Sequence, residues 1–217
     1  MNPIREGILA KVREALGRRS GMPPPPIPAT ARVSPRPAGP MDAEIGLLLS
    51  EIEALRGVTR RLAGREALRP ALAELVRSEK VSKAALWTTP DLLAWDVAGT
   101  LATLGVTIVS AQAGSRQVAE CELGVTGVDA ALAETGTLLL TASPERPRVV
   151  SLLPRVHLAI LTPQALRADL HHAFADVRAG GYSVLVTGPS RTADIELTLT
   201  LGVHGPKSLY VWVLDEA

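Results

Sequence analysis

Cysteine and aromatic residues are scarce in this sequence. The chain has one cysteine, Cys121, among 217 residues, and aromatic residues make up 3% of it. One thiol can neither close a disulfide within the chain nor supply the set of cysteine ligands that an iron–sulfur cluster normally needs. So few aromatic rings also argue against stacking of nucleic-acid bases. Because 47% of the residues are hydrophobic, we expect a sizeable core of aliphatic side chains.

Strong charge and long apolar runs are also missing. The formal net charge is +1, with acids and bases interspersed, which argues against nucleic acid or an anionic membrane surface as the main partner. No run approaches the roughly 18 apolar residues of a membrane span, and the first residues lack the apolar segment and cleavage site of a signal peptide. Together with the single thiol, these absences predict a cytoplasmic protein with no membrane span.

Several familiar catalytic and ligand-binding motifs are absent. The sequence contains no GxGxxG after a strand, no GxxxxGKS/T and no GxSxG, so nothing indicates a standard dinucleotide, nucleoside triphosphate or serine hydrolase site. His171 and His172 are adjacent in a predicted helix and point in different directions, so they cannot form a metal-binding pair one turn apart. His157 stands alone in a predicted strand, where a packing role is commoner. No metal site is expected.

The first 40 residues differ in character from the rest. Residues 1–19 predict an amphipathic helix, and residues 20–40, which hold eight of the 17 prolines, predict an extended linker. Four apolar side chains recur at helical spacing: Ile4, Ile8, Val12 and Leu16. A short isolated helix is marginal, so this stripe needs a surface. That surface belongs to the chain's own domain, to a second copy in a homo-oligomer, or to another protein.

From residue 41 the pattern predicts an α/β domain, with a helical start over 41–80 and an α/β core over 81–217. Strand-like apolar runs alternate with helical periodicity. The strand candidates are 83–88, 106–111, 118–127, 137–142, 156–162, 182–188 and 208–214, and the helix candidates are 42–57, 64–80, 90–105, 163–181 and 190–202. This alternation predicts a mainly parallel sheet flanked by helices on both faces. Such sheets bind ligands outside the carboxyl ends of their strands.

The segment TGPSRTADIE joins a strand candidate to a helix candidate. Its candidate ligand-binding residues are Gly188, Pro189, Ser190, Arg191, Thr192 and Asp194. A turn and a helix cap explain most of them, since glycine and proline suit the turn and a hydroxyl suits the cap. The start of a helix carries a partial positive charge, so the cation of Arg191 is unfavourable there unless a negative charge lies nearby. That negative charge comes either from an anionic ligand, held together with free N–H groups, or from an ion pair with an acid such as Glu134 or Asp194.

The segments AETGTLLL and GVHGP carry further candidate groups. Glu134, Thr135, Gly136 and Thr137 come directly before an apolar strand, and a turn into that strand explains the glycine. Glu134 has no local structural task, and it either caps, pairs with an arginine, or acts as an acid, base or nucleophile in a cleft. His204 lies in a predicted loop. It either takes part in proton transfer or ligand contact, or is simply an exposed histidine of the turn.

The segments AETGTLLL, SLLPRVHLAI, TGPSRTADIE and GVHGP, in this order, resemble the LUD domain and, more narrowly, the lactate utilisation protein C family. The resemblance covers roughly residues 80–214. It implies a fold similar to the NagB/RpiA/CoA-transferase superfamily and a role in oxidising L-lactate to pyruvate. It also implies partner proteins that carry iron–sulfur clusters, while this chain carries none. In related CoA-transferase folds a glutamate near a glycine turn is the nucleophile, and Glu134 is similar in kind.

Three functional hypotheses of different class follow. The first is a subunit of an L-lactate-oxidising complex, which binds a small carboxylate or a cofactor at the carboxyl ends of the strands. The candidate ligand-binding residues are Thr135, Gly136, Thr137 and the TGPSRTAD group, and Glu134 and His204 are the candidate catalytic, proton-handling groups. The alternative is a free-standing isomerase or transferase that acts on a small phosphorylated or acylated substrate, with Glu134 as base or nucleophile. A third is a scaffold that uses the N-terminal helix as its contact.

Overall fold

The computed structural model describes residues 3–19, 22–23, 26, 34–174, 177, 181–192 and 200–215. It divides the chain into two compact units, Met1–Ser34 and Pro35–Ala217. In the first unit, helix α1 (Pro3–Ala15) forms where the apolar spacing predicts a helix. Its apolar stripe is exposed, from Val12 at 48% to Ile4 at 72%. No helix within the described part of the chain combines the length and the apolar character needed to cross a membrane.

The second unit is built on a six-stranded sheet whose strand pairs are all parallel. Its strands are β1 (Val58–Leu62), β2 (Lys83–Leu86), β3 (Thr107–Ser110), β4 (Leu123–Thr126), β7 (Val156–Leu161) and β12 (Ser208–Leu214). They lie in the order β1-β12-β7-β4-β2-β3. The predicted α/β class with a mainly parallel sheet is therefore confirmed.

Alternate side chains of the central strands pack into two different cores, as the pleat of a strand requires. Trp212 and Leu158 lie in a core shared with five helices on one face of the sheet. These helices are α3 (Leu68–Ser78), α4 (Pro90–Ala94), α5 (Val97–Thr103), α6 (Ser115–Ala119) and α7 (Val149–Leu152). Val211 and Leu161 lie in a second core on the other face, which helix α2 (Met41–Ala54) closes through Ile45, Leu48 and Ile52.

A smaller four-stranded sheet packs on the α2 side of the central sheet. Its strands are β5 (Ala130–Leu132), β6 (Thr137–Thr141), β8 (Leu166–Arg167) and β9 (Ser183–Val186), in the order β8-β5-β6-β9. Strand β6 pairs antiparallel with both β5 and β9. The candidates 137–142 and 182–188 are therefore strands, as predicted, but they do not belong to the parallel sheet.

The prediction of a helix over 190–202 is wrong at both ends of this segment that the structure describes. Arg191–Thr192 forms strand β10, and Thr200–Leu201 forms strand β11, and the two pair antiparallel. The sequence ELTLTLG alternates apolar and polar residues, which is the period of a strand and not of a helix. Residues 193–199, which include the candidate Asp194, lie outside the described residues.

Two other predicted helices are interrupted by aspartates. The helix predicted over 90–105 divides into α4 and α5 at Asp96, whose φ of 51° is left-handed. The segment 163–181, predicted as one helix, begins instead with a single 3-10 turn and strand β8. A new helix, α8 (Leu170–Ala173), starts after Asp169, whose carboxylate caps it by accepting from the His172 N–H at 3.0 Å. Strand β1 lies between α2 and α3 and was not expected.

Candidate functional site

Three threonine hydroxyls form a continuous line between strands β6 and β9. Thr137 begins β6 and Thr187 follows β9, and the antiparallel pairing of the two strands brings their Oγ1 atoms to 2.9 Å. The Oγ1 of Thr135 lies 2.8 Å from that of Thr137. These hydroxyls line a cavity of about 330 Å³ together with Leu132, Glu134, Leu170 and Leu185. We call it the hydroxyl cavity, and it joins three of the predicted site residues.

Glu134 stands at this cavity with an exposed side chain, and the arginine beside it is not Arg191. The Glu134 N–H donates to the Ala168 carbonyl at 3.2 Å, and the Arg36 Nη2 donates to the same oxygen at 3.0 Å. Hydrogen bonding with Glu44, opposed by burial, raises the pKa of Arg36, and the charge of Glu134 acts in the same direction. Within the described residues, no ion pair joins Glu134 to Arg191.

Arg36 is held by a network that the sequence did not reveal. Its guanidinium forms a bidentate ion pair with the Glu44 carboxylate. The backbone N–H of Arg36 donates to the Asp169 carboxylate. Glu44 is 6% exposed, yet its pKa lies below the ordinary value, because the hydrogen bonds from Arg36 and from the Gly39 N–H outweigh burial. Arg36 lies between two prolines in the predicted linker, where no periodicity marks it.

The segments TGPS (187–190) and GVHGP (202–206), both of which hold candidate site residues, lie in contact. The Ser190 N–H donates to the Pro206 carbonyl at 2.9 Å, and the Gly202 N–H donates to the Ser190 carbonyl at 3.0 Å. The Ser190 Oγ accepts from the His204 N–H at 3.3 Å. Ser190 thus ties the two loops together through both its backbone and its hydroxyl.

These loops border a second cavity, of about 240 Å³, which we call the arginine cavity. Its lining includes Arg148, Ser151, Leu152, His157, Tyr182, Val184, Leu185, Val186, Thr187, Gly188, Pro189, Ser190, His204, Gly205, Pro206 and Leu209. Leu185 and Thr187 line the hydroxyl cavity as well, so the two cavities are neighbours. Four predicted site residues, Gly188, Pro189, Ser190 and His204, are therefore brought together here.

Arg148 supplies the positive charge of the arginine cavity. Its guanidinium lies 4.9 Å from the centre of the Tyr182 ring, a cation–π geometry that orients the group. Among the described residues it has no acidic partner. Arg191 lies in β10 and not at a helix start, and its Nη2 packs close to Gly188. Arg191 and Thr192 do not line either cavity.

His157 forms part of the wall of the arginine cavity from inside strand β7. It is 1% exposed, and its Nε2 lies 2.9 Å from the Thr126 Oγ1. Burial lowers the pKa of His157 from 6.5 to about 4, so the ring is neutral at neutral pH. His157 is therefore a buried residue that also lines the arginine cavity. The described residues contain no cluster of histidine, cysteine or acidic side chains suited to a metal ion.

The position of the arginine cavity differs from the prediction. His157 and Leu209 are the second residues of β7 and β12, so the cavity lies near the amino ends of the parallel strands and not at their carboxyl ends. The reason is that TGPS follows β9, which belongs to the smaller sheet.

Gly136 has a structural task, since its φ is 61° and a Cβ there would lie 2.8 Å from the Ile52 nitrogen in α2.

Comparison with known proteins supports the motif-based resemblance. The chain is 41% identical over 103 residues to the lactate utilization protein C of Shouchella clausii, which is 44% of this chain and 45% of that protein. It is 37% identical over 109 residues to the lactate utilization protein C of Bacillus subtilis, which is 46% of this chain and 45% of that protein. The matched region thus spans less than half the length of these relatives.

A solved structure shares the fold. The crystal structure of a DUF162 family protein from Deinococcus radiodurans matches 82% of this chain and 99% of that chain, with a TM-score of 0.59 and 17% identity. The family model of the LUD domain matches residues 53–214, a range that begins in α2 and runs through the end of β12. This range contains the whole central sheet and every described residue that lines the two cavities. Because it covers more than half of the chain, the chain belongs to the LUD domain family.

Proposed function

We propose that this chain is a subunit of a lactate-utilisation system that oxidises L-lactate to pyruvate, and that it binds a small carboxylate in the arginine cavity. The relatives that carry the name lactate utilization protein C supply the biological role. The observation that carries the site is Arg148, a guanidinium oriented by Tyr182 at a cavity and without an acidic partner among the described residues.

The lining of the cavity suits a short carboxylate with a hydroxyl or keto group. A guanidinium binds a carboxylate through two parallel hydrogen bonds. The Ser190 hydroxyl and the His204 ring lie on the loops that border the same cavity, where they provide partners for the second oxygen function of lactate or pyruvate. The volume of about 240 Å³ is below that of typical sites for drug-sized ligands, which favours a three-carbon acid over a large cofactor.

The proposal assigns the electron acceptor to other proteins. Oxidation of L-lactate to pyruvate releases an electron pair and two protons. His204, which is exposed at the cavity, is the proposed acceptor for the hydroxyl proton, and the second proton passes to water. Partner proteins with iron–sulfur clusters are the proposed acceptors for the two electrons. The neutral ring of His157 forms part of the wall of the same cavity.

Calorimetric titration with L-lactate and pyruvate tests the carboxylate site. Arg148→Met is expected to weaken binding about tenfold or more, because it removes a charge-assisted pair of hydrogen bonds. Arg116→Met is the matched control, since Arg116 lies in α6 and lines neither cavity. Absence of saturable binding by the unmodified protein, or equal affinities of the two variants, contradicts the carboxylate site. Co-purification with an iron–sulfur protein tests the role as a subunit separately.

A second candidate function rests on the hydroxyl cavity. An exposed carboxylate, Glu134, stands there beside the linked hydroxyls of Thr135, Thr137 and Thr187, which is a suitable arrangement for a base or nucleophile that acts on a small phosphorylated or acylated substrate. Turnover of such a substrate by the isolated chain, lost in Glu134→Gln while the melting temperature stays the same, supports this enzyme over the subunit. Without turnover by the isolated chain, the subunit remains the better assignment.

A further inference from the structure

We propose that the chain has a second small-molecule site, separate from both cavities above, which binds a primary amine. It is a cavity of about 500 Å³ lined by Trp87, Thr88, Thr89, Pro90, Asp91, Gly127, Val128, Asp129, Ser143, Glu145 and Arg146. We call it the strand-end cavity. Its volume falls within the range of established ligand sites.

The position of this cavity is that of ligand sites in open parallel sheets. Trp87 to Thr89 directly follow strand β2, and Gly127 to Asp129 directly follow strand β4. After β2 the chain forms β3 on one side of it, and the next strand, β4, lies on the other side. The connections therefore leave β2 and β4 in opposite directions. The crevice outside the carboxyl ends of such a strand pair is where doubly wound sheets bind ligands.

One wall of the cavity is a fixed polar framework. The Arg146 Nη1 lies 2.7 Å from the Asp129 Oδ1, and both side chains are 22% exposed. The Asp129 Oδ2 accepts from the Thr141 N–H at 2.6 Å. Arg146 also lies 5.8 Å from the centre of the Trp87 ring, whose Nε1 donates to the Pro147 carbonyl at 2.9 Å. These contacts hold the guanidinium and Asp129 in place, and the charge of Arg146 is directed to Asp129 and not to a ligand anion.

Other side chains of the lining offer hydrogen-bond acceptors. The hydroxyl of Thr88 and the carboxylate of Asp91 are exposed, and neither forms a hydrogen bond with a described residue. The Glu145 carboxylate accepts from the Ser143 hydroxyl at 2.9 Å, and hydrogen bonds to it lower its pKa, so it stays ionised at neutral pH. Because Arg146 is already paired with Asp129, Asp91 and Glu145 leave the lining with an excess of negative charge.

This lining selects the charge of the ligand. Carboxylates and hydroxyls accept hydrogen bonds from an ammonium group, which brings both donors and a compensating charge. The same lining repels a carboxylate or a phosphate. The strand-end cavity and the arginine cavity therefore differ in the sign of the ligand that each prefers.

Three probes of equal chain length test the proposal with the full chain: 1,4-diaminobutane, butane-1,4-diol and succinate. Binding is followed by NMR through the indole N–H signal of Trp87, identified by its loss in Trp87→Phe. We expect the diamine to shift this signal saturably at neutral pH, and the diol and succinate to leave it unchanged. The double variant Asp91→Asn with Glu145→Gln is expected to weaken diamine binding about tenfold.

The control variant is Glu120→Gln, which removes an exposed carboxylate paired with Lys83, outside the cavity. It is expected to bind the diamine as the unmodified protein does. The proposal is overturned if the diamine leaves the Trp87 signal unchanged, if succinate shifts it equally, or if the double variant and Glu120→Gln bind the diamine alike. None of these results depends on whether lactate or pyruvate binds in the arginine cavity.

Discussion

Arg36 and Glu134 converge on one carbonyl oxygen, that of Ala168. The Arg36 Nη2 lies 3.0 Å from it and the Glu134 nitrogen 3.2 Å. The sequence raised the question of whether Glu134 faces Arg191, and the cation next to it is instead one from the proline-rich segment. The end of that segment is therefore a docked part of the second unit, and it sets the electrostatic surroundings of the hydroxyl cavity.

Replacement of Arg36 is expected to destabilise the second unit. Arg36→Met leaves the buried Glu44 without its cation, and the expected loss is about 2 kcal/mol of unfolding free energy, since the arginine side chain is partly exposed. Urea denaturation measures it, with Arg116→Met as the control. The double variant with Glu44→Gln is expected to recover part of the loss. Equal stability of the two arginine variants would contradict a structural role for Arg36.

Truncation at two points tests the same contact. The second unit begins at Pro35, so a chain that starts at Pro35 is expected to keep the melting temperature of the second unit in the full chain. A chain that starts at Met41 lacks Arg36 and Gly39 and is expected to melt several degrees lower. Calorimetric scans measure the difference. The same melting temperature for both truncated chains would show that residues 35–40 contribute no stability.

Gly124 allows helix α7 to lie against strand β4. A Cβ at Gly124 would lie 1.9 Å from the Val150 carbonyl oxygen, so Gly124→Ala forces the helix away and is expected to cost about 3 kcal/mol. Gly127→Ala is the control, because the nearest atom to its Cβ is the Thr89 Oγ1 at 3.5 Å, an ordinary contact. Its cost is expected to stay within about 0.5 kcal/mol. Chemical denaturation of the two variants distinguishes a specific close approach from a general glycine effect.

The buried histidine gives the protein a pH dependence. The pKa of His157 is about 4 in the folded state against 6.5 ordinarily, so the unfolded chain binds a proton more readily between these values. Stability is therefore expected to fall as the pH drops from 6.5 to 4, by up to about 3 kcal/mol, and this contribution levels off below 4. His157→Gln removes this part of the slope in unfolding free energy against pH. His204→Gln, at an exposed position, is expected to retain it.

Apolar runs predicted the central sheet well. The candidates 83–88, 156–162 and 208–214 form parallel strands, because strands buried on both faces are nearly continuous in apolar residues. The candidate 106–111 also forms a parallel strand, although it lies exposed at the edge of the sheet. Apolar runs do not predict strand β1, because three of the five residues in its sequence, VTRRL, are polar, as an edge strand tolerates. An apolar run does not reveal which sheet a strand joins, and that is why β6 and β9 were placed in the wrong one.

The site was predictable where it depends on local motifs and not where it depends on distant contacts. The meeting of Ser190 and His204 agrees with the TGPS and GVHGP candidates. Arg36 was missed, since it is 132 residues from Ala168 in sequence and no local pattern links them. The strand-end cavity was missed because its walls come from three separate loops, and only the strand order shows that they adjoin.

The strand order also bears on how the chain folds during synthesis. Strand β12 lies between β1 and β7, and its pairing with β1 joins Val58 to Tyr210. Until the ribosome has released β12, β7 lacks its neighbour on one side, and β1 lacks the one strand that joins it to the sheet. Contacts so distant in sequence are slow to form and leave strand edges open to association. Completion of this fold therefore awaits the synthesis of β12, and the strand edges that β12 covers stay open until then.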